Sequence, residues 1–591
     1  MTASNAVFHL HNEDYRRPFE AKTLDHRGMI TMAGRDRESL AGRWRFVLDP
    51  FEEGLRQGWH RDCFLPVEGR PEPWDYDIGG GDEIDVPSCW NLQRPEWMHY
   101  EGTAWAGRWF DYQKRNEGER LFLRVGAANY DTLVFLNGAC LGHHRGGSTP
   151  FFVELTRTVG ERNFLHLCVN NERRADRVPM NHIDWFNYGG VFREVELVRL
   201  PDVFIRSFRL PLGPKSGAIE FAIALSDPID ADVLLSISEL GIERDVPVKG
   251  GAAQISIDAR PDLWSPEHPK LYEVTLACQE DRVTDRIGFR EIRTDGQDIL
   301  LNGKNILLKG VCVHEDDAEQ GRLADEHDIR RRFTHAKELG CNFLRLAHYP
   351  HHERVAEIAD ELGLMLWEEI PVYWAIAFSS ETTATDARNQ IRELISRDIN
   401  RASVIVWGIG NENADTDERL AFMAGLAETC REQDPTRLVS AACLVDKQAC
   451  RLEDRLADHL DLVGINEYYG WYEPDYDDLC RIITNYDLEK PIVITEVGAD
   501  APAGRTGDED ELFSETHQCC VYRQQTKRVA ELSPIRGFCP WLLYDFRTLR
   551  RHNQFQDGFN RKGLIAADKT TKKLAFDVVR LFYQAWKADE G

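Results

Sequence analysis

The first third of the chain is written in short runs of apolar residues broken by glycine-rich turns. Leu121-Phe-Leu-Arg-Val alternates in character, and Asp131-Thr-Leu-Val-Phe-Leu runs straight into an Asn137-Gly138 pair, the residues that a two-residue hairpin turn favours. Phe151-Phe-Val-Glu-Leu, Phe164-Leu-His-Leu-Cys-Val-Asn and Arg193-Glu-Val-Glu-Leu-Val-Arg-Leu continue in the same style. Many short strands with such turns predict a jelly-roll β-sandwich over residues 1–200. A second β pattern occupies 201–293, with Ile219-Glu-Phe-Ala-Ile-Ala-Leu, Asp232-Val-Leu-Leu-Ser-Ile and Leu271-Tyr-Glu-Val-Thr-Leu-Ala-Cys as strands. Its size suits an immunoglobulin-like sandwich.

From 294 to 591 apolar β runs alternate with helical stretches, which is the pattern of repeated βα units. Eight candidate strands are Ile306–Val313, Asn342–Ala347, Leu364–Glu368, Val404–Gly408, Leu438–Ala442, Leu462–Asn466, Ile492–Glu496 and Ile535–Trp541. Eight units predict a (β/α)8 barrel. A doubly wound sheet is the competing arrangement, but no glycine-rich fingerprint follows the first strand.

Composition narrows the partners. A formal net charge of -27 argues against nucleic acid or an anionic membrane surface, and obliges any anionic substrate to find a locally basic pocket. No run approaches the roughly 20 apolar residues of a membrane span, and Met1–Asn12 lacks the basic start and apolar core of a secretory signal. The 14 cysteines show no C-x-x-C spacing and read as reduced thiols, with Cys519 and Cys520 as helix residues. A cytoplasmic location is expected.

In a barrel of this kind, polar residues at the C-terminal ends of strands carry the chemistry. Val404-Ile-Val-Trp-Gly-Ile-Gly-Asn-Glu-Asn delivers Asn411 and Glu412 beyond the fourth strand, and Ile492-Val-Ile-Thr-Glu-Val-Gly delivers Glu496 at the end of the seventh. Two carboxylates facing one cavity are what glycoside cleavage needs: one protonated to release the leaving oxygen, one ionised to attack or to activate water. Structural pairing of each glutamate with an arginine is the plainer alternative. His314, His348, His351 and His352 invite a metal reading, but Pro350 interrupts the spacing, and neither a metal nor another cofactor is expected.

Nearly the whole chain resembles glycoside hydrolase family 2. Gly310-Val-Cys-Val-His-Glu-Asp, Leu344-Arg-Leu-Ala-His-Tyr-Pro, Trp407-Gly-Ile-Gly-Asn-Glu and Thr495-Glu-Val-Gly carry the resemblance. It implies a retaining mechanism with Glu412 as acid/base and Glu496 as nucleophile. It also implies Arg345 as the fixed cation that keeps Glu496 ionised, Asn411 on the sugar 2-hydroxyl and His348 on another hydroxyl. A homodimer or homotetramer is expected on the same ground.

Within the family, Asp557-Gly-Phe-Asn-Arg-Lys-Gly-Leu is similar to the Asn-x-Lys signature of β-glucuronidases. That likeness implies Asn560 and Lys562 on the C6 carboxylate of a terminal β-D-glucuronide cleaved in exo fashion. Asn466-Glu-Tyr-Tyr-Gly-Trp-Tyr matches the same pattern, and the resemblance implies Tyr468 near the nucleophile, Tyr472 near the uronate and Asn466 among the substrate-binding residues. Trp541 is expected as an aromatic floor, with core packing as the alternative for both Tyr468 and Trp541, and Asp184 as an acidic residue reaching in from the jelly roll. Two departures stand out. Gln556 occupies the position where some relatives carry a carboxylate-binding arginine, leaving Arg550, Arg551 or Arg561 to compensate, and Val372–Thr385 is short, which predicts an open cleft. β-Galacturonidase and β-galactosidase are the alternatives within the family. A noncatalytic carbohydrate-binding protein is the alternative outside it, and would have no use for two strand-end glutamates.

Overall fold

A computed structural model of the chain describes residues 5–8, 19–61, 81–213 and 217–588. Of the N-terminal stretch Met1–Asn12, all but Asn5–Phe8 lies outside them. Three domains follow one another: two β-sandwiches and a barrel.

In the first domain an eight-stranded sheet packs on a four-stranded one. The hairpin joining Asp131–Leu136 to Ala139–Arg145 turns at Asn137 and Gly138, both with positive φ (51° and 86°), the conformation that this residue pair tolerates best. Alternation sorts the side chains: Leu121, Leu123 and Val125 from one sheet meet Leu165, Leu167 and Val169 from the other around Trp44 and Phe46. The second domain sets a three-stranded sheet against a four-stranded one. Ile219–Leu225 and Tyr272–Cys278 bury every second residue, so Phe221, Ile223, Val274 and Leu276 fill its core.

The barrel closes through its first strand, which is split in two. Leu308–Lys309 pairs in parallel with the eighth strand, Ile535–Pro540, while Cys312–Val313 pairs with the second, Phe343–Leu346. Between them run Met365–Glu369, Val404–Asn411, Leu438–Cys443, Val463–Asn466 and Ile492–Val497 as strands three to seven. Six of the seven connections between strands carry an α-helix, and a further helix, Leu574–Ala585, follows the eighth strand. The fifth departs from the expected βα repeat: after Leu438–Cys443 stands only the 3-10 turn Arg455–His459. Cys519 and Cys520 lie on the helix Glu515–Val529.

Alternation also decides which strand residues point inward. Phe343, Trp367 and Val493 pack inside the barrel, whereas Leu344, Leu346, Leu366, Ile492 and Ile494 pack against the helices. The first domain is locked onto this barrel by a buried ion pair, Arg193 Nη2 to Glu315 Oε2 at 2.7 Å, with Arg322 on the same oxygen at 3.3 Å. The Asp184–Asn187 stretch of the first domain thereby reaches the barrel mouth, where Phe186 N donates to Arg547 O at 3.1 Å.

Candidate active site

Glu412 and Glu496 open onto the same mouth. Glu412 follows the fourth strand in left-handed backbone (φ 52°), a conformation that costs a non-glycine residue on the order of 1–3 kcal/mol. Its amide donates to Ala442 O at 2.9 Å, which fixes it to the fifth strand. Asn411 N donates to Val372 O at 2.9 Å, which ties the strand end to the loop after strand three. Glu496 belongs to the seventh strand, whose pairing slips beside Asn466 and again between Ile494 and Val497. These bulges break the alternation, so Glu496 faces inward although Ile494 faces the helices.

One guanidinium organises the site. Arg345, two residues beyond Phe343 on the inward face, is fully buried and donates through Nη1 to Glu496 Oε1 at 2.9 Å. Its Nε and Nη2 grip Glu369 at 3.0 and 3.1 Å, and Nη2 reaches Asn411 Oδ1 at 2.7 Å. Glu369, the last residue of the third strand, also bonds His348 Nδ1 at 2.7 Å, and His348 Nε2 stands 3.6 Å from Glu496 Oε1. Tyr468 OH donates to Glu496 Oε2 at 2.6 Å. Asn466 Nδ2 donates to Asn411 Oδ1 at 3.1 Å, and its own Oδ1 accepts from Thr495 Oγ1 at 2.8 Å.

The cation expected beside Glu496 is in place, but it does not decide the ionisation alone. Burial, the largest influence, pushes the Glu496 carboxyl above its ordinary value. Arg345, His348 and the Tyr468 hydroxyl pull it down, the charge of Glu412 adds to the rise, and the upward effects prevail. For Glu369, burial is opposed by Arg345 and His348 more effectively, and its carboxyl lies below the usual value.

A second group of charges lies one tyrosine ring away. Lys562 Nζ sits 5.7 Å from the centre of the Tyr468 ring, 5.1 Å from that of Tyr472 and 5.4 Å from that of Trp471. It donates to Tyr472 OH at 3.2 Å and is ion-paired with Asp500. Buried Asn560 accepts from Lys562 N at 3.1 Å, which holds the motif in a tight turn. Asp500 Oδ1 takes two further donors, Gln556 Nε2 at 2.9 Å and Arg561 N at 2.8 Å. Gln556 therefore helps to hold the counter-ion of Lys562.

Of the three arginines around Gln556, Arg551 comes closest to this group. Its Nη1 donates to Tyr472 OH at 3.4 Å and its Nη2 to Asp184 Oδ2 at 2.5 Å. Arg561 is turned to Gln556 O at 3.2 Å, and Arg550 lies over the Trp374 ring at 4.6 Å. Tyr472 is about half exposed, and its phenol oxygen accepts from both cations, leaving its proton free to donate outward. Burial would raise that phenol, but Lys562 and Arg551 together lower it. Asp184 Oδ1 accepts from Thr548 Oγ1 at 3.0 Å, so the acidic residue expected from the first domain is present and paired.

Trp541 stacks on His348 (4.9 Å between centres, 23°), and Trp185 of the first domain packs on the same imidazole at 5.8 Å. The other histidines turn elsewhere: His314 Nδ1 to Tyr349 OH, His351 Nε2 to Ala347 O, and His352 to the helix it caps and to Glu194. Three participants escape the sequence reading, Glu369, Trp374 and Asp500, while Arg551 stands in it only as one of three candidate arginines. Glu369 had a signal, an acidic pair closing an apolar strand. Asp500, four residues past Glu496, and Trp374 lie just beyond strand ends, whereas Arg551 is placed by a loop whose course no local pattern specifies.

Comparison with known proteins agrees with this architecture. The chain matches the family 2 glycosyl hydrolase sugar-binding domain over residues 37–201, the family 2 glycosyl hydrolase domain over 218–290, and the family 2 TIM-barrel domain over 292–587. A β-glucuronidase of Paenibacillus borealis is 26% identical over 591 residues, an alignment spanning 92% of this chain and 96% of the relative. A β-galacturonidase from Eisenbergiella tayi, crystallised with galacturonate, superposes with a TM-score of 0.80 at 26% identity, covering 94% of this chain and 98% of that one. The β-glucuronidase of Ruminococcus gnavus in complex with D-glucuronic acid shares the fold at a TM-score of 0.82 and 24% identity, over 95% of this chain and 100% of that one. With all three domains matched in order and two carboxylates set at the barrel mouth, the chain belongs to glycoside hydrolase family 2 and is a glycosidase.

Proposed function

We propose that this glycosidase is a retaining exo-β-glucuronidase that removes terminal β-D-glucuronic acid by double displacement. In this reading Glu496 attacks the anomeric carbon while Glu412 protonates the departing oxygen. Glu412 then takes a proton from the water that releases the sugar, so the β configuration returns. Arg345 and Tyr468 hold one oxygen of Glu496 each, which aims the attacking carboxylate. Asn411, its carbonyl occupied by Arg345 and Asn466 and one amide N–H turned to Glu412 Oε2, has its other N–H left for the 2-hydroxyl. His348 and Asp184 address other ring hydroxyls, and Trp541 supplies the floor.

One observation carries the choice of sugar: a buried lysine stands one aromatic ring from Glu496, next to a second cation and beneath a phenol that accepts from both. A uronate carboxylate set there accepts from Lys562, Arg551 and Tyr472, with Asn560 shaping the turn beneath it. Arg551 in this way stands in for the arginine that Gln556 replaces. The Paenibacillus borealis relative supports the same sugar. β-Galacturonidase is the second reading, supported by the Eisenbergiella tayi likeness and by a clamp that addresses C6 and not C4.

The covalent step is tested by trapping with 2-deoxy-2-fluoro-β-D-glucuronyl fluoride and mapping the adduct by peptide mass spectrometry. A glycosyl group on the peptide bearing Glu496, lost in Glu496→Ala, is the expected result. Label on another carboxylate, or a first product with inverted anomeric configuration, would overturn the assignment.

A further inference from the structure

We propose that Trp374 is a positioning residue that reserves Oε2 of Glu412 for the ionised side of the carboxyl and leaves Oε1 to carry and deliver the proton. The inference rests on the reading of Glu412 as the acid/base. Trp374 Nε1 donates to Glu412 Oε2 at 2.8 Å, and an indole N–H has no capacity to accept. The second contact on that oxygen, Asn411 Nδ2 at 3.4 Å, is also a donor. Its orientation is not free, because Asn411 Oδ1 is already taken by Arg345 and Asn466, both donors. A proton on Oε2 would therefore face two N–H groups and have no acceptor. Oε1 accepts no hydrogen bond from the described residues and is the oxygen left for a leaving group.

The indole is held as firmly as the carboxylate it serves. Trp374, like Glu412, takes left-handed backbone (φ 53°). Trp374 N donates to Asn411 O at 2.9 Å, and Trp374 O accepts from Asn413 Nδ2 at 2.7 Å, so both flanks of Glu412 grip the tryptophan. The ring stacks on Tyr373 (4.5 Å, 29°) under the Arg550 guanidinium. Two strained residues braced against each other at a reacting group are what holding one proton position requires.

The test substitutes Trp374→Phe, which keeps an aromatic ring beside Tyr373 and removes the N–H with part of the indole's bulk; the dependence on leaving group separates the two losses. kcat/KM is measured over β-uronides whose leaving groups run from 2,4-dinitrophenol, which departs without acid help, to phenol and an alkyl alcohol, which do not. Trp374→Phe should lower kcat/KM for the poor leaving groups by about 10- to 100-fold, the worth of one hydrogen bond to a charged group. The dinitrophenyl substrate should lose less than about threefold, since its departure draws little on general acid catalysis. The same loss for every leaving group, or none, would overturn the proposal. Glu412→Gln in parallel separates the two levels: if its own loss is independent of the leaving group, the acid/base reading of Glu412 fails first.

Discussion

Arg345 is fully buried with its donors committed to the ends of three other strands: Glu369 on the third, Asn411 on the fourth and Glu496 with Thr495 O on the seventh. An ion of this kind is expensive to bury unless its partners are complete, and here they are. Two carboxylates share it, and at Glu496 burial, helped by the charge of Glu412, outweighs its pull. In the proposed double displacement Glu496 attacks as the carboxylate, so activity should fade as pH falls through its raised value, and the acid limb of kcat/KM should lie above that of an ordinary glutamate. Tyr468 stabilises the ionised form; removing its hydroxyl raises the carboxyl further. Tyr468→Phe should move the acid limb to higher pH by about one to two units, the equivalent of one hydrogen bond to a charge. A pH–rate profile with an unmoved or lowered acid limb would show that this hydroxyl does not tune Glu496.

Strands were the legible elements, because a barrel strand buried on both faces is a continuous apolar run and its end is marked where the run meets a polar residue. All eight expected strands occur, yet the site is only partly readable from them. Glu368 and Glu369 are adjacent and lie on opposite faces: Glu369 joins Arg345 inside, while Glu368 faces Arg397 at 3.7 Å on the helix side. Ending the third strand at Glu368 hid the residue that matters. Asp500 and Trp374 are hidden, and Arg551 is not distinguished from Arg550 and Arg561, for another reason: loops that carry no periodicity bring them to their partners from far along the chain. The fourth strand shows what its glycines are for. A Cβ on Gly408 would lie 2.5 Å from Glu369 Cβ and would also strike the Trp367 indole, in a barrel interior without slack. Gly408→Ala should cost about 1–3 kcal/mol in urea unfolding. Displacing Glu369 should also lower kcat/KM by about 100-fold, the cost of misplacing catalytic groups by an ångström. Wild-type values for both would show that the strand end yields more than its packing implies.

At the scale of the molecule, the proposed function asks a chain of net charge -27 to receive an anionic sugar, and its charge is arranged in keeping with that. Lys562 and Arg551 are brought together at the barrel mouth, and each is kept in place by a carboxylate from a different part of the chain, Asp500 from the end of strand seven and Asp184 from the first domain. On the proposed function the jelly roll is part of the sugar site as well as a neighbour of the barrel: Asp184 and Trp185 reach the mouth, where Arg193 and Glu315 lock the two domains. Sequence supplied the family, the domains in order and the two glutamates, but the pairing of cations with counter-ions is a property of the assembled molecule. The measurement that tests the central claim most directly is kcat/KM for aryl β-D-glucuronide, β-D-galacturonide and β-D-galactoside, in the wild type and in Lys562→Ala. The account predicts that the glucuronide is preferred and that Lys562→Ala abolishes this preference while leaving the weak galactoside activity in place. A preference for the galactoside, unchanged by Lys562→Ala, would contradict it and leave only a family 2 glycosidase of another specificity.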